Sequence, residues 1–408
     1  MNTWLSLLLS AVLAAAPWSL SARTAVPAAA SHSHHGANGA PVMATSAAFG
    51  PDGRLWTASA DDGRLSVRHS DDLGRTFSAP VLIDVPAGSV LTMGEDRPMI
   101  ATGPRGEIYV AWTRSLPRPY TGHILFSRSV DGGRHFSTPV RVHRDDAEIT
   151  HRLAAMSVDA EGRVLIAWID RRDFQAAKAR GEPYAGTAVY YAWSDDAGAR
   201  FGPERRLADH SCDCCRIAAA PAPAGGIGLL WRFTDADELR DHAYAEVRDG
   251  TVAREAARAT YTGWRVDACP HQGPGLALAA DGTRHAVWFS AKDGEPVIWY
   301  GQLRPGQPPG RLLAVAREGA AHADVAAADG RVWIVWNQAD ADGLKLMARV
   351  SADAGAHFGA ARELARTDAD AGSPQVLLDR GGRAYAAWGT ADGLRLVPLT
   401  GTEGTGQP

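Results

Sequence analysis

"GRVLIAW", residues 162–168, is a glycine, a short apolar run and a closing tryptophan. Seven residues are too few for a stable helix, and a glycine turn running into a β-branched, aromatic-capped stretch reads as a strand. The unit recurs as "GEIYVAW" (106–112), "GIGLLW" (226–231), "GTRHAVW" (282–288), "GRVWIVW" (330–336) and "GRAYAAW" (382–388), with "GRLWTAS" (53–59) as a seventh member. Its glycines stand 48 to 64 residues apart, which is the sequence signature of a repeat architecture. Each repeat has room for a strand before the glycine turn and one or two after the tryptophan, so each makes an antiparallel sheet of three or four strands. Such sheets arranged radially are propeller blades. The chain is therefore expected to be all-β, with one propeller domain over residues 41–400. Seven blades are counted, with six as the alternative if a terminal unit is partial; the last unit lacks sequence for a fourth strand.

Composition agrees. The 408 residues are 45% apolar and 22% charged, with a formal net charge of -4. These are globular values, and no basic surface is present to hold nucleic acid. The 43 glycines, 24 prolines and 13 tryptophans fit a chain of turns and strands, and no long stretch repeats at helical spacing.

At the N-terminus, "WLSLLLSAVLAAA" (Trp4 to Ala16) followed by small residues reads as a signal peptide over residues 1–22. It is too short to span a bilayer comfortably. The expectation is an exported protein, periplasmic or secreted, with no transmembrane segment once the signal is removed. Residues 23–40 form a lead containing His32, His34 and His35, and residues 401–408 a tail; both are expected to be unstructured.

A second repeat carries a family resemblance. "SDDLGRTF" (70–77), "SVDGGRHF" (129–136), "SDDAGARF" (194–201) and "SADAGAHF" (351–358) share the pattern Ser-x-Asp-x-Gly-x-x-Phe, which resembles the Asp-box (BNR repeat) of the sialidase-like propeller superfamily. The box is a turn: the carboxylate accepts from backbone N–H groups, and the glycine takes a conformation other residues resist. It implies a propeller and leaves function open. The resemblance also implies the chemistry of an exo-α-sialidase-type glycoside hydrolase, in which three arginines bind the sugar carboxylate beside a Tyr–Glu pair and an Asp acid/base. Arg97, Arg152 and Arg216 precede their blade tryptophans by 15, 16 and 15 residues and would supply the arginines, with Asp170 and Asp241 as carboxylates. Arg171, Asp173, Arg240 and His242 lie in second-to-third-strand loops on the same face. No Tyr–Glu pair matches.

Three of the four cysteines stand in "HSCDCCR" (210–216), and the fourth in "ACPHQG" (268–273). Cys212 and Cys269 each lie 19 residues before a blade tryptophan, and Cys214, His271 and His151 each lie 17 before theirs. In a propeller these are equivalent positions at the channel mouth, opposite the glycine turns. Cys212, Cys214, Cys215, Cys269 and His271 are thus expected to meet as ligands for copper, or for zinc, with Met43, His151 and His322 as further candidates near the axis. The function read from this is binding, delivery or sequestration of a soft metal, with another periplasmic or membrane protein as a partner. The glycoside hydrolase is the alternative from a different class. A third reading is an interaction scaffold in which the cysteines form disulfides, as an oxidising compartment permits, although a bond between adjacent Cys214 and Cys215 would be strained. Redox cycling at that pair is a fourth.

Overall fold

Seven antiparallel sheets follow one another along the chain in the computed structural model, which describes residues 44–399 except 62, 93 and 94. Six sheets have four strands and the last has three, and within each the strands pair in sequence order. The fold is a seven-bladed all-β propeller, and the missing strand is the one the last repeat lacks in sequence. Met43, the signal segment, the His32–His35 lead and the tail lie outside the described residues.

The blade tryptophans explain why the sheets stack into a ring. Trp112, Trp168, Trp231, Trp288, Trp336 and Trp388 sit on second strands, and none is more than 1% exposed. Each packs against the preceding blade. Trp231, for example, lies with Leu153, Ile169 and Val189 of blade 3, and Trp336 with Val287, Ile298 and Tyr300 of blade 5. The core is therefore seven layers between blades rather than one central mass. Blade 1 departs from the pattern. Its equivalent position holds Ser59, whose hydroxyl bonds Thr45 at 2.8 Å. The layer joining blade 7 to blade 1 accordingly encloses Ala47, Leu55 and Ala387, with Tyr385 buried against Phe49 at 5.3 Å between ring centroids and Phe77, Leu377, Leu394 and Leu396 partly buried.

In blades 1, 2, 3 and 6 the third and fourth strands are joined by the four Ser-x-Asp turns. In the first, Gly74 N–H donates to Ser70 Oγ at 2.8 Å, Ser70 Oγ to Asp72 Oδ1 at 2.8 Å and Thr76 N–H to Asp72 Oδ1 at 2.8 Å. The same bonds recur around Asp131, Asp196 and Asp353. Because strands alternate in direction, these turns and the glycine turns occupy one face. The loops entering each first strand, and those joining second to third strands, occupy the other.

One element escapes the sequence reading. A helix, Arg172–Arg180, fills the second-to-third-strand loop of blade 3 and ends at Gly181, whose φ is 70°. Only Ala177 is buried, so the helix has no apolar stripe from which its period could be read.

Candidate functional site

The loop "HSCDCCR" leads from the last strand of blade 3, Arg205–Ser211, to the first of blade 4, Ala218–Pro221. It is fastened to blade 4 by Cys212 N–H donating to Arg232 O at 2.9 Å. This presses three cysteines inward: Cys212 Sγ lies 3.6 Å from Cys214 Sγ and 3.7 Å from Cys215 Sγ, and all three are buried. The loop "ACPHQG" leads into blade 5 and brings Cys269 and His271, both exposed, against the same group. One ligand atom each from Cys214, Cys269 and His271 lie within 4.8 Å of one another, as do those of Cys212, Cys214 and Cys215. Two triads therefore share Cys214, and all four cysteines are free thiols.

Mutual contact drives the four thiols apart in acidity. Contacts from Cys214 and Cys215, reinforced by the Arg232 charge, hold Cys212 well below the usual thiol value. Contact with Cys212 pushes Cys214 up, burial pushes Cys215 up, and contact with Cys214 lowers Cys269. Arg232 is itself buried and donates to Arg240 O at 2.8 Å, Phe289 O at 2.9 Å and Gln272 O at 3.0 Å, so one cation braces blade 4, blade 5 and the "ACPHQG" loop.

A third segment, "EDRP" (95–98), reaches the cysteine loops from the connection into blade 2. Glu95 Oε2 accepts from Gly273 N–H at 2.7 Å and from Arg216 N–H at 3.2 Å. Its other oxygen lies 3.3 Å from both Arg216 Nε and His322 Nδ1. Burial opposes the charge, yet the His322 bond and the Arg216 charge hold this carboxyl at about 2.

His322 is thus on Glu95 and apart from the thiols, its backbone N–H bonded to Gln272 Oε1 at 2.8 Å. His151 also stands elsewhere, beside His123 and His143. The cysteines and His271 come together as the register implies, whereas His151 and His322 do not join them.

The three arginines do stand at the mouth, but each is engaged by the protein. Arg216 donates to Pro274 O at 2.6 Å and Ala323 O at 3.0 Å besides Glu95. Arg152 Nε donates to Asp96 Oδ2 at 3.2 Å. Arg97 donates to Ser373 O at 2.7 Å, and burial together with the nearby Arg216 charge lowers it to about 10. Asp170 accepts from Trp168 Nε1 at 2.9 Å and pairs with Arg172 at 2.8 Å. Asp241 pairs with Arg258 and accepts from Thr262 Oγ1 at 2.7 Å. Among the loop residues, Arg171 faces Asp213 at 3.7 Å, Asp173 accepts from Tyr190 OH at 2.8 Å, Arg240 pairs with Glu238 at 2.6 Å, and His242 is buried beside Thr260.

Sequence reasoning missed Glu95, Arg232, His123 and His143. Glu95 stands two residues before Arg97 in a segment read only for its arginine, and Arg232 follows a blade tryptophan where the other blades carry Thr113, Ile169, Phe289, Asn337 and Gly389, so the repeat gives it no charge to expect.

The fold and mouth define a seven-bladed β-propeller carrying a cluster of free thiols where its loops converge. No family model and no curated relative matches the sequence. Among solved structures the chain is similar to a polysaccharide lyase of family PL25, an ulvan lyase, at 10% identity over 88% of this chain and 94% of that one, with a TM-score of 0.55. It is similar also to such a lyase bound to -[GlcA(1-4)Rha3S]-, at 10% identity over 85% and 90% of the two chains, with a TM-score of 0.54. A Hadza microbial sialidase aligns at 13% identity over 85% and 76%, with a TM-score of 0.49. At such identities the likeness is one of fold.

Proposed function

We propose that the protein binds a soft transition-metal ion, copper(I) in preference to zinc, at the thiol cluster of the channel mouth, for delivery or sequestration. The observation that carries this reading is the sharing of Cys214 by two triads, which gathers four free thiols and an imidazole from two successive blade connections. Crowded thiolates repel one another and gain most from a cation, and sets rich in sulfur favour copper(I). Cys212, Cys214 and Cys215 would form the buried floor, and Cys269 with His271 the exposed lip through which an ion enters. The site has a natural exchange side, because Cys269 and His271 are the accessible members. The test is thermal unfolding of the reduced protein with and without copper(I), for the native chain and a Cys269→Ser, His271→Ala double variant. A ligand at about 100 times its dissociation constant adds roughly 2.7 kcal/mol to the native chain. Equal responses from the two proteins reject the reading, as do cysteines isolated wholly in disulfide form.

The second reading is a carbohydrate-active enzyme, and the fold neighbours favour it: those named above are lyases and a sialidase. The side chains favour it less, since Arg97, Arg152 and Arg216 are bonded to carbonyls and carboxylates of the protein. Turnover of a fluorogenic sialoside or of a uronic-acid polysaccharide, lost on Arg97→Ala, would establish it.

A further inference from the structure

Between blades 2 and 3, on the same mouth, three histidines meet apart from the thiols. His123 lies at the start of the blade 2 strand Gly122–Ser129, His143 in the connection leaving that blade, and His151 at the start of the blade 3 strand His151–Val158. One ring nitrogen from each lies within 4.8 Å of the others, and the side chains are buried, His151 completely. The His143 and His151 rings stack with centroids 4.1 Å apart, and His123 stands 5.2 and 5.6 Å from them.

The bonding of His151 fixes what it can offer. Its Nδ1 lies 2.9 Å from Gly122 O, and a carbonyl can only accept, so Nδ1 carries the proton and Nε2 keeps a lone pair. That lone pair has no hydrogen-bond partner among the described residues. It faces Asp170 Oδ2 at 3.7 Å and Asp145 Oδ1 at 4.0 Å, both acceptors. Asp170 Oδ2 already accepts from Trp168 and Arg172, and Asp145 Oδ1 from Ala147 N–H at 2.8 Å, so the donor left without a partner at this point is His151 Nε2. His123 Nδ1 is likewise buried with no partner.

The surroundings are those of a held ligand. A histidine whose second ring nitrogen donates to a backbone carbonyl is fixed in tautomer and orientation, as metal-binding imidazoles usually are. His143 is more fully engaged: it accepts from Ile124 N–H at 3.1 Å and donates to Asp145 O at 2.8 Å, so it positions Asp145 and walls the site. Arg172 pairs with Asp170 at 2.8 Å and approaches Asp145 at 3.5 Å, and Asp145 Oδ1 also accepts from Ala147 N–H at 2.8 Å, so Asp145 is the carboxylate less tightly paired with arginine.

We infer that His123 and His151, with Asp145 and with His143 as the supporting wall, form a second metal site that takes a borderline divalent cation, zinc or copper(II). Imidazole and carboxylate suit those ions, as thiolate suits copper(I).

Cobalt(II) titration of the chelator-treated, reduced full-length protein separates the two centres. Thiolate ligation gives intense near-ultraviolet charge-transfer absorption, and imidazole with carboxylate gives weak d–d bands alone. The native chain is expected to take up an equivalent that adds only d–d absorption. His123→Gln and His151→Gln should each bind one equivalent fewer than the native chain and keep any thiolate band. Cys214→Ser should keep the histidine equivalent, so the outcome does not depend on the thiol reading. If one histidine variant does not fold, the other decides. In the unaltered chain, zinc should also shift the ring resonances of His123 and His151 and leave His285, bonded to Tyr300 OH at 2.8 Å in blade 5, unmoved. Unchanged stoichiometry in the folded histidine variants, or zinc-insensitive resonances of His123 and His151, overturns the proposal.

Discussion

Glu95 Oε2 receives Gly273 N–H at 2.7 Å, and so a residue placed before blade 2 closes the loop that carries Cys269 and His271 into blade 5. The same oxygen holds Arg216, the residue after Cys215. Glu95→Ala removes a buried carboxylate from Arg216 and two backbone donors, and breaking such a pair costs about 3–5 kcal/mol. Chemical denaturation should show that loss, with a smaller one for Glu95→Gln, which keeps one acceptor oxygen.

Cys214 belongs to both thiol triads, whereas Cys212 and Cys269 each belong to one. Competition against a copper(I) chelator should therefore find Cys214→Ser the weakest binder of the three serine variants. Its affinity is expected to fall by at least the 10–100-fold that even loss of an outer partner typically costs. Equal losses at Cys212, Cys214 and Cys269 would show that the triads do not share a ligand.

Sialoside hydrolysis is expected to be far below ordinary enzyme rates of about 1 per second or more. The reason is geometric: Arg97, Arg152 and Arg216 have their donors directed at Ser373 O, Asp96, Glu95, Pro274 O and Ala323 O. A continuous fluorogenic assay reads this directly.

The Ser-x-Asp turns predict an acid limb of stability. The Thr76 hydroxyl, the Thr76 N–H and the Ser70 hydroxyl hold Asp72 down at about 2, and His135 and His357 depress Asp131 and Asp353 in the same way. A depressed carboxyl stabilises the fold above its unfolded value, about 3.9, and the contribution is lost as pH falls through the folded value. The thermal midpoint of Asp72→Asn should therefore lie below that of the native chain at pH 7, with the gap closing between about pH 4 and pH 2.

Much of this was legible for one physical reason: blades vary in length, but the stretch from the entry loop to the blade tryptophan is the same in blades 4 and 5. Counting back from Trp231 and Trp288 places Cys212 and Cys269 at like heights, and their loops do meet. The bonding state of Arg97 or Arg216 was not legible, because their partners are carbonyls of other blades and carbonyls leave no mark in a sequence. His123, His143 and His151 come from a strand start, a connection and another strand start, so no offset relates them. His322 does stand at its blade's mouth, but it is claimed by Glu95.

Ser59, in place of a tryptophan, leaves one joint of the ring with less apolar surface than the other six. Amide exchange should then be fastest, among first strands, in Thr45–Phe49 and Gln375–Leu378, the two that face each other there. Opening at that joint lies three blades away from blade 4 in either direction around the circle. The protein can breathe at its seam while the cysteine loops stay shut.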